Sequence, residues 1–186
     1  MSGFDLREQL LDQRRILVNG VLDQSSTSEI AAMLMTLDGR SAEPVELVVS
    51  GPGGPVADVL ALLDIIALMR APVATTCLGA ATGTATALIA SGTGGRRASA
   101  RATLSLRCDD AQHFDGHPVD VATRAEEALA TRERFVAALA AATGQPVDRI
   151  SHELDHGRSL DAAAAAEMGL IDQITGQKPG PKGRTS

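Results

Sequence analysis

An α/β fold on a largely parallel, covered sheet is what this sequence predicts, and three observations carry the prediction. Short aliphatic runs alternate with helical patterns along the chain, as expected where parallel strands are joined by crossover helices. The segment Val56–Met69 is apolar on most faces, as a helix buried between layers must be. Apolar residues make up 44% of the chain while its aromatics are Phe4, Phe114 and Phe135 alone, so the core is aliphatic. A length of 186 residues suits one domain with a substantial core. No internal repeat divides it, and the reading is one domain over 1–175 followed by a tail, 176–186.

The elements follow in order. Residues 5–13 read as a short polar helix, and Arg15–Asn19 as the first strand. Ser26 and Glu29 stand at capping-box spacing, ahead of Ile30, Met33, Leu34 and Leu37 at helical intervals. Asp38-Gly39 predicts a turn before the strand Val45–Val49. Ala71-Pro72 ends the apolar helix, and Val73–Leu78 is the next strand. Thr84–Ser91 is a short helix of small residues, stopped at Gly92. Brief strands near Arg97–Ser99 and Thr103–Arg107 precede a polar loop, Asp109–Pro118. Val119–Ala142 is the longest helix and stops at Thr143-Gly144. A helix from Val147 and another over Ala162–Met168 lead through Gly169 to a final strand, Leu170–Ile174. Gly176–Ser186 lacks apolar anchors, and disorder is expected there.

Bulk properties narrow the function. A net charge of −6, with basic pairs scattered at Arg14-Arg15 and Arg96-Arg97, argues against a nucleic-acid surface. Asp5, Arg7 and Glu8 interrupt any apolar run at the start, so no signal peptide is expected. Cys77–Gly92 is too short and too rich in Gly and Thr to span a bilayer. Cys77 and Cys108 form no motif, and reduced thiols in a cytoplasmic protein are the expectation.

Two segments carry the chemistry. Ser50-Gly51-Pro52-Gly53-Gly54 closes an apolar strand, and Cys77-Leu78-Gly79-Ala80-Ala81-Thr82-Gly83-Thr84-Ala85 opens a small-residue helix. Together they resemble the proteolytic subunit of the Clp protease (ClpP), a family whose second segment reads Gly-Gln-Ala-Ala-Ser-Met-Gly. Arg15–Gly20 resembles its first core strand, and Thr143-Gly144-Gln145-Pro146 its turn after a long "handle" helix. Ala162–Asp172, ending Glu167-Met-Gly-Leu-Ile-Asp172, resembles its C-terminal signature. The likeness spans roughly residues 9–174. It implies a crotonase-type ββα superhelix with a protruding handle.

The family's serine falls on Gly83. Its histidine falls on Cys108 counted without a gap, or on Arg107 with a one-residue slip; its aspartate falls on Gly157, beside Asp155 and His156. Serine peptidase chemistry needs a nucleophile, a proton acceptor and an orienting carboxylate, and Gly83, Cys108 or Arg107, and Gly157 do not supply them at their respective positions. The oxyanion donors of the family correspond to the amides of Gly54 and Thr84, and this frame is expected to be intact. Gly53, Gly54, Pro55 and Val56 correspond to the peptide-docking strand, weakened by Pro55, which has no N–H. Thr82 and Thr84 flank the vacant position, but on a helical or alternating backbone neighbours point elsewhere. Cys108 as a relocated nucleophile lacks a base. His113 and His117 sit in a polar loop with Asp109, Asp110 and Asp115, and His152 and His156 share i,i+4 spacing. No metal site and no cofactor is expected from either set.

The resemblance also bears on partners. Val119–Ala142 matches the handle helix, which mediates ring-to-ring contact in the family. Its apolar set, with Val121, Ala125, Ala128, Leu129, Phe135, Val136 and Leu139, is expected to serve a heptamer or double heptamer, homo-oligomeric or shared with an active paralogue. On that reading Phe135→Asp releases smaller species without unfolding the protomer. The family's aromatic cleft for its ATPase falls on Glu46, Val48 and Leu68, and without aromatic anchors docking in the family's manner is not expected. The leading expectation is an inactive ring subunit. The alternatives are an active peptidase with a rearranged or partner-completed site, and a crotonase-like CoA binder, for which Asp58 is the nearby acidic candidate.

Overall fold

The computed structural model describes residues 3–108 and 118–176. The polar loop with His113 and His117, and the expected tail beyond Gly176, lie outside them. Every described strand belongs to one sheet with the central order β1-β2-β3-β4-β7: β1 is Arg15–Val21, β2 Val45–Gly53, β3 Val73–Thr82, β4 Arg96–Ser99 and β7 Gln173–Thr175. All four of these pairings are parallel. The α/β prediction therefore holds. The connecting helices are α2 Gln24–Arg40 and α3 Val56–Leu68, with α1 Gly3–Asp12 beside β1 and the short α4 Thr84–Ala90 after β3.

Alternation along β2 shows why the sheet forms. Val45, Leu47 and Val49 are fully buried, while Glu46 and Val48 between them, and Ser50 after them, are half-buried. The strand register brings Ile16, Leu47 and Thr75 into line across the sheet, and one continuous aliphatic cluster fills the space under the helices. Fully burying each such side chain stabilises the fold by roughly 1.5–3 kcal/mol before conformational entropy is subtracted.

The third strand is longer than the apolar run suggests. It continues through Gly79 to Thr82 and changes partner on the way: Thr75–Cys77 pair with β4, whereas Ala80–Thr82 pair with β5, Thr103–Ser105. Gly79 adopts φ +76°, and this glycine-compatible kink lets one strand serve two partners. A short antiparallel strand, β6 Leu160–Asp161, closes onto β5; the sequence pattern gives no sign of it.

Three boundaries differ for physical reasons. The cap of α2 lies one turn earlier than Ser26: Asp23 accepts from the Ser26 amide at 2.8 Å, and Ser26 Oγ accepts from the Asp23 amide at 2.8 Å. That exchange holds the Asp23 carboxyl below its usual range. The helix then runs through Asp38-Gly39 to Arg40. Leu170 and Ile171 are buried without entering the ladder, so the last strand starts at Gln173 instead of Leu170.

The long helix α5, Pro118–Thr143, is divided by burial. Phe135, Val136 and Leu139 are 1–5% exposed and belong to the protomer's own core, which corrects their assignment to an interface between rings. They pack where α5 meets α3, α4 and α6 (Val147–His156). In the outer half, Ala125 and Ala128 are half-buried and Leu129 is 61% exposed; the side chain of Val121 lies outside the described set.

Arg96 ties the C-terminal elements together. Its Nη1 donates to the carbonyls of Ala142 (2.8 Å) and Gly169 (2.7 Å), and its Nε to Asp172 (3.1 Å). Carbonyls at the ends of α5 and α7 (Ala162–Glu167) are thereby satisfied by one guanidinium. Arg96→Ala is expected to lower stability by about 2–4 kcal/mol. Its partner Asp172 is more exposed, so Asp172→Asn is expected to cost less than about 1 kcal/mol. The Arg96 side chain lowers the Asp172 pKa, so the pair's contribution is full above the ordinary aspartate value of about 3.9 and is lost as pH falls below it through the lowered folded-state value. Thermal melts from pH 6 down to pH 2 should fall less steeply for Asp172→Asn than for the wild type; parallel curves would remove this account of the acid limb.

Candidate active-site cleft

The two glycine segments meet in three dimensions because β2 and β3 are neighbours. β2 ends at Gly53 with φ +81°. A Cβ added there would collide with Thr84 Oγ1 and the Ala85 amide, and one added at Gly54 with the Leu22 carbonyl. Only glycine fits at either position. Leu22 donates its N–H to the Gly53 carbonyl at 2.8 Å, fastening the turn to the end of β1.

Gly83 occupies the bend between β3 and α4, with φ 58° and ψ −130°. This is a backbone region that L side chains rarely adopt, and a strand-to-helix turn of this strained kind is where hydrolases of the α/β class expose a nucleophile. The bend is locked from beneath. The Gly83 amide donates to Ser105 O at 2.8 Å, and Thr86 Oγ1 lies 2.8 Å from the same carbonyl and 2.9 Å from that of Ala81.

The pairing of β3 with β5 delivers the third part. From Ser105 the chain continues to Arg107 and Cys108, and the Cys108 amide donates to Leu154 O of α6 at 3.0 Å. A Cβ added at Gly83 would lie 3.3 Å from Cys108 Sγ, 3.0 Å from Pro52 O and 3.5 Å from Arg107 O. Of the two residues counted onto the histidine position, it is thus the side chain of Cys108, and the carbonyl of Arg107, that faces Gly83. Gly157 caps α6 after His156; a Cβ there would run into Glu153 O and stand 2.8 Å from Glu153 Oε2.

These segments surround a cleft of about 380 Å³. Its lining combines apolar Val21, Pro52, Pro55 and Val56 with Thr82, Gly83, Thr84, Arg107 and Cys108. No serine, histidine or carboxylate lines it among the described residues. Asp58 is not in its wall, and Val56, 7% exposed, contributes mainly to the core. The other cysteine, Cys77, is fully buried in β3, and burial raises its thiol pKa to about 11, which makes it inert. His152 and His156 stack on the exposed side of α6 with ring centroids 5.2 Å apart, while Asp155 accepts from Arg132 at 2.8 Å.

One feature of the oxyanion frame differs from the expectation of an intact, open pair of amides. The Gly54 N–H is donated to Thr84 Oγ1 at 2.7 Å, and Thr84 Oγ1 donates in turn to Gly54 O at 2.9 Å. Thr84 is 2% exposed. Sequence reasoning places both residues at the cleft but not this bond, which depends on a side-chain rotamer and has no signature in spacing.

A glycine turn at the end of one central strand, set against a strained strand-to-helix bend on the next, defines an α/β protein with a hydrolase-type frame. The Clp protease family model matches residues 1–178, and the chain belongs to that family. Among the described residues no helix is long and apolar enough to cross a membrane.

Proposed function

We propose that this chain is an inactive subunit of Clp protease type, a pseudoprotease that acts through assembly and not through hydrolysis. The observation that carries the reading is Gly83: the strained bend that would present a nucleophile presents no side chain, and the side chain facing it is a thiol. We take Cys108 as the counterpart of the histidine, because its Sγ faces position 83, and Gly157 as that of the aspartate. No imidazole or carboxylate lines the cleft among the described residues, so the hydroxyls of Thr82 and Thr84 have no such base there to activate them. Gly53, Gly54, Pro55 and Val56 are read as the remnant of a peptide groove. Assembly as a heptamer or double heptamer, by itself or with an active paralogue, is supported by family membership and by the outer half of α5, where Leu129 is exposed. A cytoplasmic setting belongs to the same reading, since two cysteines without a motif make no disulfide framework.

Fluorogenic dipeptides and a fluorophosphonate probe are expected to give neither turnover nor label with the pure protein. Light scattering at micromolar concentration is expected to give a heptameric or tetradecameric mass. Turnover traced to Thr82, Thr84 or Cys108 would favour the rearranged-peptidase alternative, and a strictly monomeric particle would remove the assembly half of the proposal.

A further inference from the structure

An extended peptide that pairs with the end of β2 needs main-chain donors and acceptors there, since β-augmentation draws its affinity from backbone hydrogen bonds. Along Pro52-Gly53-Gly54-Pro55 several of these groups are absent or occupied. The two prolines have no N–H, the Gly53 carbonyl accepts from Leu22, and the Gly54 N–H and C=O are both bonded to Thr84 Oγ1. The hydroxyl oxygen lies 2.7 Å from the Gly54 nitrogen, the distance at which a carbonyl oxygen of a bound ligand would lie. A single buried side chain thus satisfies the amide and the carbonyl that a peptide would use.

We propose that Thr84 is a built-in occupant of the groove, closing Gly54 to an extended peptide. The inference rests on the reading of residues 53–56 as a remnant peptide groove. It adds a cause of silence separate from the missing nucleophile: the site fails to bind as well as to react. Removing the hydroxyl leaves the half-buried Gly54 amide without its partner in the protein, and a donor facing the cleft in that state favours a ligand carbonyl that satisfies it.

The test uses the full chain and a fluorescein-labelled Leu-Leu-Val-Tyr amide followed by anisotropy. Wild type and Thr84→Ser, which keeps the hydroxyl, are expected to bind weakly. Thr84→Ala combined with Pro55→Ser, which restores a donor, is expected to bind about tenfold more tightly or better than wild type and than Pro55→Ser alone. Hydrogen exchange of the Gly54 amide provides a second readout: it is expected to be slow in wild type and faster in Thr84→Ala. An unprotected Gly54 amide in wild type overturns the proposal even if the variants do not fold. Binding by the Thr84→Ala double variant no tighter than by Pro55→Ser alone also overturns it, and so does a released amide without any gain in binding. These failures leave the missing-triad reading untouched, because binding needs no nucleophile. Turnover of the peptide by wild type would instead overturn that reading, and would overturn the closed groove with it, since a peptide that is cut has been bound.

Discussion

Replacing Phe135 with aspartate is expected to unfold the chain and not to take apart an assembly. Phe135 is 1% exposed and among the largest fully buried side chains, with Val136 and Leu139 beside it. Truncating a buried phenylalanine costs about 3–5 kcal/mol through lost transfer energy and cavity formation. Placing an unpaired carboxylate in the same space adds several kcal/mol or forces its protonation. Against a total stability of about 5–15 kcal/mol for a domain, the sum approaches or exceeds what is available. Circular dichroism and a thermal melt decide it, and a Phe135→Asp protein with native spectrum and cooperative melt would sink the division of α5 into a core half and an outer half. The informative surface change is Leu129→Asp. At 61% exposure it is expected to alter protomer stability by no more than about 0.5 kcal/mol, so any fall in particle mass would report on contacts made by the outer half of the helix.

The contrast between Phe135 and Leu129 shows what an apolar pattern encodes. Helical spacing identifies α5 and its apolar stripe, because periodicity reports the presence of a buried face. It carries no information on which partner buries that face. The C-terminal half of the stripe is matched by α3, α4 and α6 within the protomer, and only burial reveals the division. The same limit applies at the end of the chain. Leu170 and Ile171 look like strand residues since they are aliphatic and fully buried, yet the ladder begins beyond them at Gln173.

Elements whose signals are local are legible in the sequence, and those set by distant contacts are not. Alternation of strands and helices suffices for the parallel sheet, and the helix-opening run Thr84–Ala90 is placed to within a residue. The cap of α2 is ambiguous because Asp23-x-x-Ser26 and Ser26-x-x-Glu29 both resemble a capping box one turn apart. Nothing in the sequence marks the role of Arg14. At φ 59° its side chain reaches the carbonyls of Leu37, Ser41, Glu43 and Pro44, closing the C-terminal end of α2, where a cation is favoured. At the cleft, counting along the chain puts Gly83 and Cys108 in one site, and the β3–β5 pairing brings them together. The bond between Thr84 and Gly54 links residues far apart in sequence and emerges only once β2 is packed on α4.

Rebuilding the missing residues is expected to yield no peptidase. Gly83→Ser meets resistance first: at φ 58° and ψ −130° a side chain is strained by about 1–3 kcal/mol. Its Cβ would also stand 3.0 Å from Pro52 O. The new hydroxyl would face the Cys108 thiol, with no imidazole lining the cleft among the described residues to take its proton, and a serine in that condition is a weak nucleophile. Adding Cys108→His supplies an acceptor without an orienter. Adding Gly157→Asp encounters the backbone: the Cβ collides with Glu153 O in the last turn of α6, and a carbonyl in a helix cannot rotate aside as a flexible side chain does. The carboxylate would reach an imidazole only if the end of α6 moved, and Cys108 itself is bonded to that helix through Leu154 O. The triple variant is therefore expected to melt below the wild type and to hydrolyse fluorogenic dipeptides at a rate indistinguishable from it. Triad residues act as a unit, and in subtilisin losing the unit costs about 10⁶ in turnover, so even partial assembly of a working site would be conspicuous above background. Clear turnover by the triple variant, abolished by reverting Ser to Gly at 83, would mean that the α6 terminus yields and that the frame lacks nothing but its side chains.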